Sequence, residues 1–184
     1  MENHLLYLEV IKKAGFSDCE IVVDEWGMAS CGFWNVEECP PFIARENEVF
    51  SAYFAKLIHA FTYSDYKTEL LCICLSGQHE MTEDFSGFRN FFTLNFIAKP
   101  IYNAYILAAK LHENLLDSKS ENENVFVIPT KNEKNEFSIL VTYSNEHFEE
   151  NLPEIDEELT FGEDILGKKV TVYCIDRETT NPYR

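Results

Sequence analysis

The sequence has little positive charge, and this scarcity limits the partners that the protein can take. Fifteen Lys and Arg stand against thirty-two Asp and Glu, which leaves a formal charge of −17. A surface of this sign repels nucleic acid and anionic lipid, so neutral or cationic partners suit it better. There is no apolar run near the roughly 20 residues of a membrane-spanning helix, and the start, MENHLLYLEV, lacks the basic-then-apolar order of a signal peptide. We therefore expect no nucleic-acid partner and no membrane partner.

Motifs for several kinds of catalysis are missing as well. The sequence contains no glycine-rich phosphate loop, no GxSxG turn of a serine hydrolase and no HExxH zinc motif. Its six cysteines form no CxxC pair and show no Cys/His spacing typical of a metal site, which predicts mostly reduced, buried thiols. We expect no cofactor and no bound metal.

Hydrophobic residues make up 46% of the chain, and their spacing in the first half alternates between helix and strand. The pattern predicts a helix in 4–15, a strand in 19–24, a helix in 45–61, a strand in 69–75 and a helix in 99–116. The two predicted strands are apolar enough to be buried on both faces. Glu46 and Glu48 stand near the start of the second predicted helix, where acidic side chains suit the positive end of the helix dipole. Continuous apolar strands between long helices indicate parallel βα units that are covered on both faces.

The period of the pattern changes after a polar stretch, DSKSENEN. Residues 125–129, 137–143 and 168–175 alternate with period two, and TKNEKNE between the first two fits a hairpin connection. The sequence therefore predicts an α/β region in 1–116 and an antiparallel β region in 117–184. Neither looks complete, because two parallel strands cannot close a sheet or a barrel.

Glu25 is the strongest candidate for a functional residue, because it follows the apolar run IVV, with Asp24 between them. Functional loops of parallel α/β folds lie at the carboxyl ends of the strands. The structural alternative is a salt-bridged or loop-capping carboxylate. Trp26 could form an apolar wall beside Glu25 or pack in the core. Trp34, in the long loop that follows, could stack on a sugar ring, and packing in the core is an equally good alternative.

A second group of polar residues follows the second predicted strand in SGQHEMTED, residues 76–84. His79 and Glu80 are its candidates for substrate binding, and Glu83 and Asp84 follow on the same predicted edge. A solvated loop is the alternative.

Four segments resemble glycoside hydrolase family 39, the β-xylosidase and α-L-iduronidase family, and they occur in the family's order. VVDEWG at 22–27 is similar to the strand-seven motif that carries the catalytic nucleophile. FSGFRNFFTLNFIAKPIYNAYILAAKL at 85–111 resembles the stretch that leads into the last barrel helix. FSILVTYSN at 137–145 and VTVYCIDRETTNPYR at 170–184 resemble strands of the family's β-domain.

The resemblance implies a fold and an activity. Residues 1–116 would be the last βα units of a (β/α)8 TIM barrel, and 117–184 would be part of an antiparallel β-sandwich. The activity implied is hydrolysis of O-glycosidic bonds in a carbohydrate substrate with retention of configuration. Glu25 would be the nucleophile. Trp26, Trp34, His79 and Glu80, proposed above from their positions in the sequence, would be the substrate-binding residues.

The resemblance also sets limits. A retaining enzyme needs a second carboxylate about 5–5.5 Å from the nucleophile. The family carries it on an earlier strand, so we expect it upstream of Met1 and expect the isolated chain to be inactive. Ile73 and Gly77 stand where the family has Trp and Asp, so xylose is not assumed.

The alternative is a non-catalytic carbohydrate-binding or interaction module derived from such an enzyme. The sugar, the linkage, the compartment and whether the protein forms a homo-oligomer stay open.

Overall fold

The computed structural model describes residues 2–17, 19–28, 34–64, 68–70, 83–145, 147, 152–162 and 167–183. Its helices and strands, in chain order, are α1 (Glu2–Lys13), β1 (Ile21–Val23), a 3₁₀ helix (Pro40–Arg45), α2 (Glu48–Thr62), β2 (Thr68–Leu70), α3 (Pro100–Ala108), β3 (Asn114–Leu115), β4 (Val125–Lys131) and β5 (Phe137–Tyr143). No helix among these residues is long and apolar enough to cross a membrane.

Local signals explain where the helices begin and end. Gly15, with φ of +89°, follows α1 in the left-handed conformation that favours glycine. The Asn47 side chain caps α2 by accepting a hydrogen bond from the Val49 N–H at 3.0 Å. Pro100 occupies the first turn of α3, where its missing N–H has no cost.

The two strands of the first half pair in parallel, and α2 connects them. Ile21 lies opposite Thr68, and Val23 lies opposite Leu70. The prediction of a fully buried first strand was wrong, because the Val22 side chain is 47% exposed. In the part of the chain that the structure describes, this sheet has two strands, so the face that carries Val22 is not covered. Strand 69–75 was predicted correctly as far as Leu70, and 71–75 lies outside the described residues.

The second half contains the predicted hairpin. β4 and β5 pair antiparallel from Val125–Tyr143 to Lys131–Phe137, and the residues between them form the connection. β3 adds a third strand, because Asn114 and Leu115 pair with the end of β4. The prediction that the third helix reaches residue 116 was therefore wrong: α3 ends at Ala108, and the backbone that follows bonds to β4 instead.

Residues 168–175 do not form the strand that their alternating pattern predicts. Their backbone lies outside any strand, and Val170 and Val172 are 74% and 82% exposed. A period-two pattern forms a strand only when a neighbouring strand completes the ladder. The described residues provide none for this segment.

α2 lies between the two halves and packs against both. One side contributes Phe50 and Phe54 to the main core, which is completed by Trp26, Met28, Ala44, Ile101 and Ala104. The other side contacts the antiparallel sheet: the His59 and Phe126 rings form a T-shaped pair with centroids 5.2 Å apart, and Thr142 Oγ1 donates to the Ala52 carbonyl at 3.3 Å. The barrel and the sandwich that the resemblance implies stay a prediction.

Candidate functional site

Glu25 lies two residues beyond the end of β1, and its side chain is 55% exposed. The Glu25 Oε1 atom accepts a hydrogen bond from Nη2 of Arg89, whose side chain is 16% exposed. Arg89 belongs to the segment between β2 and α3. Because β1 and β2 are parallel, the segments that follow them leave from the same edge of the sheet. The fold thus brings together the candidate carboxylate and a cation 64 residues away in sequence.

Sequence reasoning did not identify Arg89. The one hint in the sequence was the alternative that Glu25 forms a salt bridge, and that alternative did not identify the partner cation. A guanidinium is a rigid, permanently charged donor, so it fixes the direction of the carboxylate that it binds. The contact is compatible with a structural ion pair and with an oriented nucleophile.

Trp26 lies in the core, where the packing alternative places it. It is 7% exposed, and its ring stacks on Phe54 with centroids 5.4 Å apart. Its indole N–H donates to the Tyr105 hydroxyl at 2.8 Å. This hydrogen bond satisfies the polar atom of a buried indole. Trp26 thereby anchors the residues after β1 to α3, directly next to Glu25.

The other predicted site residues are placed differently. Trp34 is 51% exposed, as a stacking residue would be, whereas His79 and Glu80 lie outside the described residues. Asp84 accepts hydrogen bonds from the backbone and side-chain amides of Asn95, at 2.9 Å and 2.7 Å. These bonds lower the pKa of Asp84 and close its loop on the segment that leads to α3.

A buried ion cluster lies beneath the Arg89 segment. It consists of Arg45, Glu46 and Lys99, which are at most 1% exposed. Lys99 Nζ donates to Glu46 Oε1 at 2.7 Å and lies 2.7 Å from Oε2. Burial raises the pKa of Glu46 although the neighbouring Lys99 lowers it, and burial lowers the pKa of Lys99. Glu46, which the sequence predicted only as an acidic residue at the start of a helix, is therefore paired with Lys99 in the interior.

The same cluster holds the backbone of the two residues before Arg89. The Gly87 N–H donates to Glu46 Oε1 at 2.6 Å, and the Phe88 carbonyl accepts from Lys99 Nζ at 2.8 Å. Arg45 Nη1 donates to the Gly87 carbonyl at 3.1 Å. Gly87 has φ of +88°, and a Cβ there would lie 2.5 Å from Val36 Cγ2.

The cysteines and acidic residues form no metal centre in the described ranges. Among those residues, no group of three or more His, Cys, Asp and Glu side chains is arranged to hold a metal ion. Cys19, Cys39 and Cys174 are free thiols, but Cys19 and Cys174 are exposed, contrary to the expectation of buried thiols. The Asp176 carboxylate accepts a hydrogen bond from the Cys174 thiol at 3.0 Å and raises its pKa to about 11.

Comparisons with protein-family models and with curated proteins find no match to this sequence. The resemblance to family 39 therefore depends on the four sequence motifs alone.

Proposed function

We propose that this chain is the C-terminal part of a retaining glycoside hydrolase similar to family 39, with Glu25 as its nucleophile. The observation that carries the proposal is the position of Glu25. It is an exposed carboxylate just beyond a parallel strand, and Arg89 from the neighbouring βα connection binds it through one oxygen. Such a strand edge is where (β/α)8 enzymes collect their catalytic residues. In this proposal β1, α2 and β2 belong to the barrel, and β3 to β5 belong to the β-domain.

The proposed reaction has two steps. A Glu25 carboxylate oxygen attacks the anomeric carbon, the glycosidic carbon–oxygen bond breaks, and a carboxylic acid on an earlier strand protonates the leaving oxygen. Water then attacks the anomeric carbon from the face opposite Glu25, the bond between that carbon and Glu25 breaks and frees the carboxylate, and the second carboxylate takes a proton from the water. Arg89 orients Glu25 through Oε1, so that Oε2 can face the sugar. The carbohydrate substrate lies against this edge, with Trp34, His79 and Glu80 as binding residues.

A non-catalytic carbohydrate-binding or interaction module is the second candidate. The ion pair with Arg89 favours it, because an arginine can hold a carboxylate for purely structural reasons. Ile73 and Gly77, which depart from the family's pattern, favour it too.

Glu25→Gln tests the two candidates in the complete enzyme that the proposal implies. The amide keeps the shape of the carboxylate but cannot form the glycosyl ester, so turnover should fall by at least about 10⁴-fold while sugar binding stays largely intact. The measurements are hydrolysis of an activated aryl glycoside and sugar binding by calorimetry. Asp24→Asn is the matched control, because Asp24 is the exposed carboxylate next along the chain. It should retain most of the activity.

Azide separates a nucleophile from an acid/base residue. In Glu25→Gly the small anion can occupy the space of the lost carboxylate and attack the anomeric carbon directly. The glycosyl azide formed should therefore have inverted configuration. An azide product of retained configuration would show that Glu25 is the acid/base residue and not the nucleophile. Near-normal turnover without azide would show that Glu25 is structural.

A further inference from the structure

We infer that Glu46 and Lys99 are positioning residues that hold Arg89 in place for Glu25. The part of this inference that concerns catalysis by Glu25 rests on the proposed function, whereas the structural part, that the ion pair positions Arg89, does not. The buried ion pair binds one backbone group of Gly87 and one of Phe88, and Arg89 is the next residue. A continuous series of contacts therefore links the buried ion pair, through Gly87 and Phe88, to Arg89 and to the exposed Glu25 carboxylate.

The Glu46 and Lys99 side chains, which we call the two anchors, each make a hydrogen bond that the buried backbone requires. Gly87 and Phe88 are buried, so their N–H and C=O groups need partners inside the protein. Glu46 Oε1 supplies an acceptor at 2.6 Å and Lys99 Nζ supplies a donor at 2.8 Å. An apolar pair could fill the same volume but could make neither bond.

Stability alone is a weak reason for keeping such a pair. Removing two charges from water costs free energy that their attraction often does not recover, and apolar replacements of buried ion pairs are frequently neutral or stabilising. The raised pKa of Glu46 and the lowered pKa of Lys99 reflect this cost. The hydrogen bonds from Glu46 and Lys99 to Gly87 and Phe88 explain why the ion pair is kept, whereas packing alone does not.

The backbone is also held on the other side of Arg89. The Asn90 N–H donates to the Phe88 carbonyl at 3.0 Å, and the Lys99 N–H donates to the Phe91 carbonyl at 2.9 Å. Lys99 therefore contacts the segment twice, through its side chain before Arg89 and through its backbone after it. A shift of about 1 Å in a group that orients a nucleophile can lower a rate by about 100-fold.

The double variant Glu46→Leu/Lys99→Met tests the structural part on the 184-residue chain. It removes both anchors and both charges of the Glu46–Lys99 pair, while the buried Arg45 keeps its hydrogen bond to the Gly87 carbonyl. We expect the double variant to fold with a lower unfolding midpoint than the wild type, because Arg45 stays buried when Glu46 is lost. We also expect the Gly87 amide and the Arg89 guanidinium protons to exchange about tenfold faster or more. NMR hydrogen exchange measures both. Amides of α2 in the same sample, and the remote core variant Ile128→Val, serve as controls.

Unchanged exchange at Gly87 and Arg89 in the folded double variant would overturn the inference. If that variant does not fold, Glu46→Gln/Lys99→Met decides. Its glutamine keeps an oxygen for the Gly87 N–H, and only the anchor on Phe88 is lost. The Gly87 amide should then stay protected while the Arg89 protons exchange faster, and unchanged Arg89 exchange would again overturn the inference.

Covalent labelling of Glu25 tests the catalytic meaning separately. A dinitrophenyl 2-deoxy-2-fluoro-glycoside needs no acid catalyst to leave, and mass spectrometry detects the sugar on Glu25. We expect the double variant to label about 100-fold more slowly at saturation, with little change in the half-saturating concentration. An unchanged labelling rate would contradict positioning. Absence of labelling in the wild-type complete enzyme would contradict the proposed function, while the exchange data on the 184-residue chain would still decide whether the pair positions Arg89.

Discussion

Gly87 is the residue at which the ion cluster, the 3₁₀ helix and the Arg89 segment meet. Its N–H and C=O bond to Glu46 and Arg45, and its left-handed backbone turns the chain toward Arg89. Val36 and Phe42 leave no room for a side chain at this point. Conformation and space therefore both require glycine.

Gly87→Ala should lower the free energy of unfolding by about 2–5 kcal/mol, because a left-handed L-residue costs about 1–2 kcal/mol and the clash with Val36 adds about 1–3 kcal/mol. Gly15→Ala is the matched control. Gly15 has φ of +89° but no heavy atom within 4 Å of the added methyl group, so only the backbone cost of about 1–2 kcal/mol applies. Urea denaturation followed by tryptophan fluorescence measures both losses. Equal losses would mean that the space around Gly87 relaxes freely.

At the scale of elements, α2 connects the site to the rest of the fold. It begins with the cap residue Asn47, directly after the buried Glu46, and its first turn carries Glu48, which accepts from Asn181 Nδ2 at 2.8 Å. The start of this helix therefore determines where the Glu46 carboxylate lies relative to Gly87. A well-formed helix start is a condition for the ion cluster.

Asn47→Ala should destabilise the protein by about 1 kcal/mol, because the Val49 N–H loses its side-chain acceptor. Asn47→Ser keeps an oxygen at the cap and should retain most of that stability. Thermal unfolding followed by circular dichroism measures the difference. A serine variant as unstable as the alanine variant would show that Asn47 acts through something other than the cap.

At the scale of the whole molecule, the two halves share an interface along α2. The main core lies on one side of this helix, and β4 and β5 lie on the other. The Tyr63 hydroxyl, just beyond α2, also forms a hydrogen bond with the Ser118 hydroxyl at 3.1 Å, which joins the two regions. We therefore expect the regions 1–116 and 117–184 to unfold together, although their patterns differ.

Ile128→Ala in β4 tests this cooperativity, because Ile128 is 2% exposed and both tryptophans, Trp26 and Trp34, lie in the other half. Loss of its buried methyl groups should cost about 2–5 kcal/mol and should move the tryptophan transition by the same amount. The control Val141→Ala, at a 43% exposed position of β5, should cost about 0.5 kcal/mol. A tryptophan midpoint that does not move while the circular dichroism midpoint falls would show that the halves unfold independently.

The sequence by itself determined the elements whose signals are local. α1 and α2 follow from apolar residues at helical spacing with a glycine stop or a polar start, and β4 and β5 follow from period-two alternation around a polar connection. It also singled out Glu25 as a carboxylate beyond a strand. Each of these depends on residues within one element, so periodicity and capping are sufficient to predict them.

Only the tertiary structure decided which groups meet. α3 ends at Ala108 because Asn114 and Leu115 pair with β4, and 168–175 forms no strand because no neighbouring strand completes a ladder with it in the described residues. The contacts of Glu25 with Arg89 and of Glu46 with Lys99 join residues 64 and 53 positions apart. Spacing along the chain does not show which cation approaches a carboxylate or whether the pair is buried. Those contacts arise when the parallel strands and α2 bring distant segments to one edge of the sheet.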